Sequence, residues 1–157
     1  MEITSPAFDN DALMPHRFAV EGGDVSPPLT WAGVPEGAKS LVLIVEDIDI
    51  PIPLKKTWVH WIVYDIPPTS PGLPEGIAHA ASVPGGGTQG RTSYLGRGWG
   101  GPNPVGGVHR YIFQLCALDI NLGIPARMAG LSRIRTLMRG HVLVEARLTG
   151  RYKKQRL

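Results

Sequence analysis

The sequence contains a single cysteine, Cys116, which excludes a disulfide bond within the chain. It also lacks any apolar run of the roughly 18–20 residues that a membrane-spanning helix needs. The first residues, MEITSPAF, have neither the basic segment nor the apolar segment of a secretory signal peptide. We therefore expect a protein of a reducing compartment, with the cytoplasm as the default location, and no integral membrane association.

The common catalytic signatures are missing too. There is no Lys-Ser/Thr phosphate-binding loop and no Gly-x-Ser-x-Gly nucleophile elbow. The GxGxxG spacing of dinucleotide sites occurs at residues 85–90, GGGTQG, but the segment RTSYLG follows it where a helix would be required. Cys116 lies in a strand-like stretch and is predicted to be packed rather than reactive. Without a plausible nucleophile, the sequence favours binding over catalysis.

Acidic residues are scarce in the last part of the chain. Nine of the 16 basic residues fall between Arg127 and Arg156, where Glu145 is the only acid. Such an asymmetry can indicate a nucleic-acid or anionic partner, but runs of one sign are more often a solvated surface. Because basic and aromatic residues alternate only at residues 151–153, we expect no nucleic-acid partner.

Glycine and proline are abundant, at 20 and 15 of 157 residues, and the segments between them are strand-like. This pattern predicts one domain, residues 1–157, with a mainly β fold, an antiparallel β-sandwich with one or two short helices. The expected strands are residues 29–31, 40–49, 56–66, 108–118 and 141–148. One helix is expected at 126–138, a tail from Gly150, irregular structure over 1–28 and a long loop over 67–104.

The strand at 56–66 is rich in aromatic and β-branched residues and has a histidine at its centre. Simple alternation places on one face Trp58, His60, Ile62 and Tyr64. The opposite face then carries Val59, Trp61 and Val63. Both faces are largely apolar, so we expect the strand to be covered on both sides. A buried His60 would need a hydrogen-bond partner, since leaving such a group unpaired costs about 1–3 kcal/mol.

Polar side chains from three strands are predicted to meet at one edge. The strands at 40–49 and 56–66 should form an antiparallel hairpin, and the strand at 108–118 follows the glycine-rich loop. The residues brought together would be Asp47 and Asp49, Trp58 and His60, and His109 and Tyr111.

These groups are suited to binding a small anion. The imidazoles can donate to an oxyanion, and glycines in the neighbouring loop leave backbone N–H groups accessible to it. A nearby carboxylate would raise the pKa of a histidine, so we expect binding to be favoured at mildly acidic pH.

Other interpretations stay open at this point. Asp47 and Asp49 could simply end a strand, and His60 could be a satisfied core histidine. Asp47, His60 and His109 could instead serve a hydrolase or lyase, or a two-histidine, one-carboxylate iron site, although such ligands usually lie closer together on one strand. The remaining histidines are assigned to the surface or to structural roles, because none lies near another polar cluster; they are His16, His79 and His141.

Several motifs, occurring in order, resemble those of the phosphatidylethanolamine-binding protein family. The family's S-P-P-L-x-W…D-P-D-A-P signature is similar to SPPLTWAGVPEGAKSLVLIVEDIDIP, and its W-x-H-W strand is similar to TWVHWIVYDIP. Its G-x-x-P-x-G-x-H-R-Y segment is similar to GPNPVGGVHRYIFQLCALD, and GHVLVEARLTGRY also fits. The resemblance covers almost the whole chain and is nearest to the short bacterial and archaeal members called Raf kinase inhibitor-like proteins, without a C-terminal helix.

The resemblance implies a Greek-key β-sandwich with a small pocket at one end for phosphate-like anions or phospholipid headgroups. The residues that would bind the ligand are Asp47, Trp58, His60, Gly101, Pro102, His109 and Tyr111, with Asp49 and Pro51 supporting them. The implied role is non-enzymatic, as an inhibitor or modulator of a protein kinase or protease. No cofactor or metal is implied, and a homodimer is compatible with the sequence.

The chain departs from the family pattern at three places. Ile48 and Ile50 stand where the family favours Pro and Ala, and Asn103 and Val105 interrupt its paired prolines. Thr92-Ser93 replaces an Asn-Asp pair in the glycine-rich loop. We expect these changes to alter the shape of the pocket loops while leaving its polar groups intact.

Overall fold

The computed structural model describes residues 1–53 and 57–155, and its body consists of two antiparallel sheets. The strands are β1 Glu2–Thr4, β2 Leu29–Ala32, β3 Ser40–Asp47, β4 Trp58–Ile66, β5 Gly72–Leu73, β6 Thr88–Gln89, β7 Val108–Leu118 and β8 Val142–Lys153. The larger sheet has the order β6-β4-β3-β7-β8 and the smaller one β1-β2-β5. The helical elements in this part of the chain are α1 Leu131–Met138 and three 3-10 turns, His16–Phe18, Val20–Gly22 and Ala126–Met128. The mainly β class is confirmed.

Strand β3 lies at the centre of the larger sheet, and every one of its residues is buried. Its odd-numbered side chains, such as Leu43, pack into a large core with Trp61, Trp99 and Phe113. The even-numbered ones enter a smaller core that α1 covers with Ile134. Each fully buried large apolar side chain contributes about 1.5–3 kcal/mol. Strand β4 contributes Trp61 to the large core and Tyr64 to the small one, so the expectation that this strand is covered on both sides is confirmed.

Strand β4 does not alternate as simple periodicity predicts. Val59 pairs with Glu46 and Trp61 pairs with Val45, the residue before Glu46 in β3, so His60 is an extra residue in a β-bulge. The bulge places His60 against aromatic rings of the large core, whereas Ile62 and Tyr64 pack in the small core. The prediction that His60 shares a face with those two residues is therefore wrong. The predicted start of this strand at Lys56 lies outside the described residues.

Other predicted bounds also differ from the structure. Strand β3 ends at Asp47 rather than at residue 49, and residues 2–4 form β1 instead of irregular chain. The expected helix over 126–138 divides into a 3-10 turn and α1, because the backbone at Gly130 is extended.

Gly150 does not begin a tail but lies inside β8, which pairs with β7 along its whole length. A Cβ atom at Gly150 would stand 2.6 Å from Cγ and Sδ of Met14, so the glycine permits close packing. The segment 67–104 is mostly loop, as expected, and contains the short strands β5 and β6. No helix within the described ranges combines the length and the apolar character required to cross a membrane.

Candidate functional site

A pocket of about 230 Å³ lies at one end of the larger sheet, where β3 ends and β4 and β7 begin. The edge predicted from the sequence is therefore the place where the structure forms a cavity. The described residues that line it are Asp47, Ile50, Pro51, Ile52, Trp58, His60, Tyr94, Asn103, Pro104, Val105 and His109.

Asp47 and His109 form a buried pair at the base of this pocket. Nδ1 of His109 lies 2.7 Å from Oδ2 of Asp47, and both residues are less than a tenth exposed. The other carboxylate oxygen accepts the backbone N–H of Asp49 at 2.8 Å. An ionised carboxylate can only accept hydrogen bonds, so the contact with Asp47 assigns a proton to Nδ1 of His109. The same hydrogen bond holds the imidazole ring in one orientation.

His60 is held by a different partner. Its Nδ1–H donates to the carbonyl oxygen of Gly100 at 2.5 Å, and only 2% of the residue is exposed. Burial lowers the pKa of His60, because the imidazolium loses its hydration, and this outweighs the opposing effects of the Gly100 carbonyl and of Asp47. For this residue the predicted rise in pKa is wrong. The neutral ring therefore presents Nε2 as a bare acceptor.

Two buried polar atoms beside this ring have no hydrogen-bond partner in the described part of the chain. They are Nε2 of His60 and the hydroxyl of Tyr111, whose rings meet edge to face with centroids 5.1 Å apart. Burial, followed by the charge of Asp47, raises the pKa of Tyr111, so the phenol keeps its proton as a donor; the Asp47 carboxylate lies near this hydroxyl but not in the geometry of a full hydrogen bond. Buried polar groups are nearly always paired, and an unpaired one costs about 1–3 kcal/mol. An acceptor and a donor are thus available together, His60 in the pocket lining and Tyr111 beneath it, since Tyr111 is fully buried and is not among the described lining residues as had been expected.

An aromatic wall stands on one side of the pocket. The Tyr94 ring packs edge to face on Trp58 and on His60, with 5.6 Å between centroids in each pair. Its hydroxyl donates to the carbonyl oxygen of Gly101 at 3.0 Å. Burial and the nearby charges of Asp24 and Asp47 raise the pKa of Tyr94 to about 12. Trp58 was expected among the ligand-binding residues, whereas Tyr94 was not, although Tyr94 is the only aromatic residue in the glycine-rich stretch before Trp99.

Gly101 and Pro102 lie behind the pocket and are not among the described lining residues. The N–H of Gly101 donates to Oδ1 of Asp24 at 2.6 Å, and the carbonyl of Pro102 accepts from Val20 at 3.1 Å. A Cβ atom at Gly101 would approach the carbonyl oxygen of Phe18 to 2.2 Å. The structure therefore places both residues in packing positions, and the direct ligand contact expected of them is not part of the observed geometry.

Asp49 and Pro51 take different positions, although both were expected to support the site from behind. Asp49 forms an ion pair with Arg110 at 2.8 Å and accepts the N–H of the same residue at 2.8 Å. Hydrogen bonding to Arg110 holds the pKa of Asp49 below its usual range. This pair ties the end of β3 to the start of β7. Pro51, by contrast, lines the pocket itself.

The departures from the family pattern shape the pocket rim. Ile50, Asn103 and Val105 all line the cavity, and Val105 is 93% exposed. Together with the half-exposed Ile52, they give the mouth an apolar lip above the polar base. The expectation that these changes leave the polar groups in place agrees with the geometry of Asp47 and His109.

The other histidines have polar partners of their own. Nδ1 of His16 lies 3.0 Å from the hydroxyl of Tyr152, and His141 lies 2.8 Å from Asp119. Nε2 of His79 is 2.7 Å from the carbonyl of Trp99. The expectation that none lies near a polar cluster is wrong for His16 and His141. Over residues 1–53 and 57–155, no three His, Cys, Asp or Glu side chains are placed to hold a metal ion.

Comparison of the sequence with known proteins gives matches along nearly its whole length. The family model described as phosphatidylethanolamine-binding protein matches residues 4–153. A UPF0098 protein of Methanothermobacter thermautotrophicus is 42% identical over 154 residues, which cover 98% of this chain and 99% of that protein. A UPF0098 protein of Chlamydia pneumoniae is 38% identical over 156 residues, with 98% and 99% covered.

Two solved structures share this fold. The crystal structure of a phosphatidylethanolamine-binding protein homolog from Chlamydia trachomatis superposes with a TM-score of 0.89 at 36% identity, covering 98% of this chain and 97% of that one. The crystal structure of Escherichia coli YbcL, described as a member of the mammalian PEBP family, gives 0.88 at 30% identity, with 98% of each chain covered.

Proposed function

The chain belongs to the phosphatidylethanolamine-binding protein family, and from that premise we propose that it is a non-enzymatic protein whose pocket binds a phosphate-like anion, free or as a lipid headgroup. The observation that carries the proposal is the pair of unpartnered buried atoms, Nε2 of His60 and the Tyr111 hydroxyl. Both stand beside the Asp47–His109 pair, and a ligand that satisfies them recovers part of the free energy that their burial costs.

Recognition would combine one fixed donor with one group that changes its protonation state. The Tyr111 hydroxyl donates to a ligand oxygen directly. Nε2 of His60 accepts from a protonated phosphate oxygen, or donates to an anion once the ring has taken up a proton. In either case one proton must be added, to the phosphate or to the His60 ring, before the hydrogen bond can form. Binding is therefore favoured at mildly acidic pH.

The lip of the pocket suits the organic part of a phosphate ester. Ile52 and Val105 expose apolar surface at the mouth, and the Tyr94–Trp58 wall borders it. Burying this surface under a glycerol or alkyl segment favours an ester over inorganic phosphate, by roughly 25 cal/mol per Å² of apolar surface removed from water. We therefore expect a headgroup ester to bind more tightly than free phosphate.

Two features support binding rather than turnover. None of the described residues that line the pocket is a serine, threonine or cysteine. Cys116 is buried in the small core on the other side of the sheet, and burial raises the pKa of its thiol to about 11. The competing hypothesis is a hydrolase or lyase that uses Asp47, His60 and His109. Hydrolysis of a phosphoester or carboxyester that disappears in His60→Ala would establish that alternative.

Within the same proposal, we place the protein as an inhibitor or modulator of a kinase or protease. A phosphorylated side chain presents the same oxyanion to the pocket as a lipid headgroup does, with a peptide in place of the glycerol. A phosphoserine peptide that displaces phosphoethanolamine would support this role. Displacement by the unphosphorylated peptide alone would contradict it.

Calorimetric titration with phosphate and with phosphoethanolamine tests the binding proposal. Tyr111→Phe removes one hydroxyl and leaves the ring in place, so we expect the free energy of binding to weaken by about 1–3 kcal/mol. His60→Ala should weaken it by a similar amount. His141→Ala is the matched control, because His141 pairs with Asp119 away from the pocket lining. Equal affinity in the wild type, Tyr111→Phe and His60→Ala would refute the proposed role.

A further inference from the structure

A second cavity, of about 560 Å³, lies beside the pocket and shares no lining residue with it. The loop of residues 91–97 separates the two, since Thr92 and Ser93 line this cavity whereas Tyr94 lines the pocket. We call it the arginine groove; its described lining residues are Val59, Arg91, Thr92, Ser93, Arg127, Met128, Gly130, Leu131, Ser132 and Arg133.

Three arginines line this groove, and none of them pairs with a carboxylate of the described residues. In the described part of the chain, the arginines that pair with a carboxylate are Arg17, Arg110, Arg135 and Arg147. Arg91, Arg127 and Arg133 are exposed and form no such pair there. The groove lining itself contains no acidic residue. Bringing like charges together is unfavourable in the absence of an anion, so the arrangement favours an anionic occupant.

The three arginines are held by a closely packed backbone. The N–H of Arg91 donates to the carbonyl of Ala129 at 2.8 Å, and its guanidinium reaches the carbonyl of Arg127 at 3.4 Å. A Cβ atom at Gly90 would approach the Ala129 oxygen to 2.5 Å, so the two segments touch along their main chains. Arg133 follows in the first turn of α1. The backbone segments that carry Arg91 and Arg127 are thus held against each other, with the first turn of α1 following directly after them.

The rest of the lining supplies neutral donors and an apolar patch. The Ser93 hydroxyl oxygen accepts the N–H of Val59 at 2.9 Å, which leaves its own proton to donate. Ser132 adds a second hydroxyl. Met128 is 45% exposed and adjoins Leu131, so an organic group can pack against the same wall.

We propose that the arginine groove is a second binding site, for a phosphorylated small molecule with two or more negative charges, of the organic diphosphate class. Each guanidinium fork matches the oxygens of a phosphoryl group, and several forks suit linked phosphoryl groups better than a single one. The volume falls in the usual range of small-molecule sites, about 300–1,000 Å³. The inference stands apart from the proposed headgroup pocket, because none of that pocket's residues contributes to it.

Calorimetric titration of the protein with ADP and with pyrophosphate tests this site. Arg127→Gln and Arg133→Gln should each weaken binding of both probes by about tenfold or more, since charge-assisted hydrogen bonds are the strong ones. Arg139→Gln is the matched control: it removes the same charge from an exposed position that does not line the groove. It should leave the affinity unchanged within about twofold, because it removes only a distant charge that salt screens. Because the proposed headgroup pocket also takes phosphate esters, the titrations are repeated in a His60→Ala background, where binding that Arg127→Gln still weakens belongs to the groove.

Three outcomes would overturn the site. Equal weakening by Arg139→Gln would mean that only net charge matters. Loss of ADP binding in His60→Ala, with Arg127→Gln unaffected, would assign the probe to the headgroup pocket. Binding of RNA or acidic vesicles that both groove variants reduce, without measurable binding of ADP or pyrophosphate, would show a basic surface for a macromolecule instead.

Discussion

Raising the pH should weaken anion binding in the pocket, because His60 must gain a proton before Nε2 can donate. Burial lowers the pKa of His60 in the free protein, so the ring is neutral at neutral pH. An anion on Nε2 stabilises the imidazolium and raises that pKa in the complex. At any pH between the lowered pKa of His60 in the free protein and its raised pKa in the complex, the protein takes up one proton for each anion that it binds. Affinity should then fall about tenfold for each pH unit, or about 1.4 kcal/mol.

Sulfate is the sharpest probe of this linkage, since it does not itself titrate near neutral pH and any proton taken up must come to the protein. Titration in two buffers with different ionisation enthalpies counts the protons directly. We expect an uptake approaching one in the wild type and close to zero in His60→Gln. Sulfate affinity that is constant from about pH 6 to pH 8, a range centred near the ordinary histidine pKa, would refute the reasoning. Loss of the uptake in His109→Gln but not in His60→Gln would move the proton to the other imidazole.

Two further expectations concern stability. Because the pKa of His60 is lowered in the folded state, unfolding takes up a proton below about pH 6.5. The free energy of unfolding should therefore decrease by up to about 1.4 kcal/mol for each pH unit of acidification. Urea titrations should show this slope reduced by about one proton in His60→Gln, and an unchanged slope would contradict the assignment. Gly101→Ala should cost about 1–3 kcal/mol, because its Cβ would clash with the Phe18 carbonyl. Weaker phosphate binding by Gly101→Ala at unchanged stability would instead show ligand contact.

Prediction from sequence succeeded best where a single strand carries the signal. The bounds of β7 agree residue for residue with the expected strand at 108–118, and its odd-numbered side chains from Tyr111 to Ala117 lie in the large core, as strand alternation requires. Asp47 and Trp58 are cross-strand partners at the edge where the hairpin was expected to bring them together. These features depend on side-chain periodicity and on antiparallel pairing, and both can be read from local sequence.

Prediction failed where a distant segment decides the local conformation. The bulge at His60 exists because three residues of β4, from Val59 to Trp61, face only Val45 and Glu46 of β3. This mismatch depends on how the two strands pair and cannot be read from either strand alone. The long glycine- and proline-rich segment gives no periodic signal, so the position of Tyr94 against Trp58 could not be inferred. In the same way, a tail was predicted from Gly150 because the sequence does not show that the distant Met14 packs against this glycine.

The amino-acid sequence by itself determined the mainly β class, the central strands and the identity of the polar groups at the pocket edge. It also carried the family, because several separated motifs occur in order along one chain. Only the tertiary structure decided the state of those groups. Burial, rather than the neighbouring carboxylate, governs the pKa of His60, and the loop that covers the ring determines how deeply it is buried. Solvation depends on everything that surrounds an atom, and no local stretch of sequence contains that information.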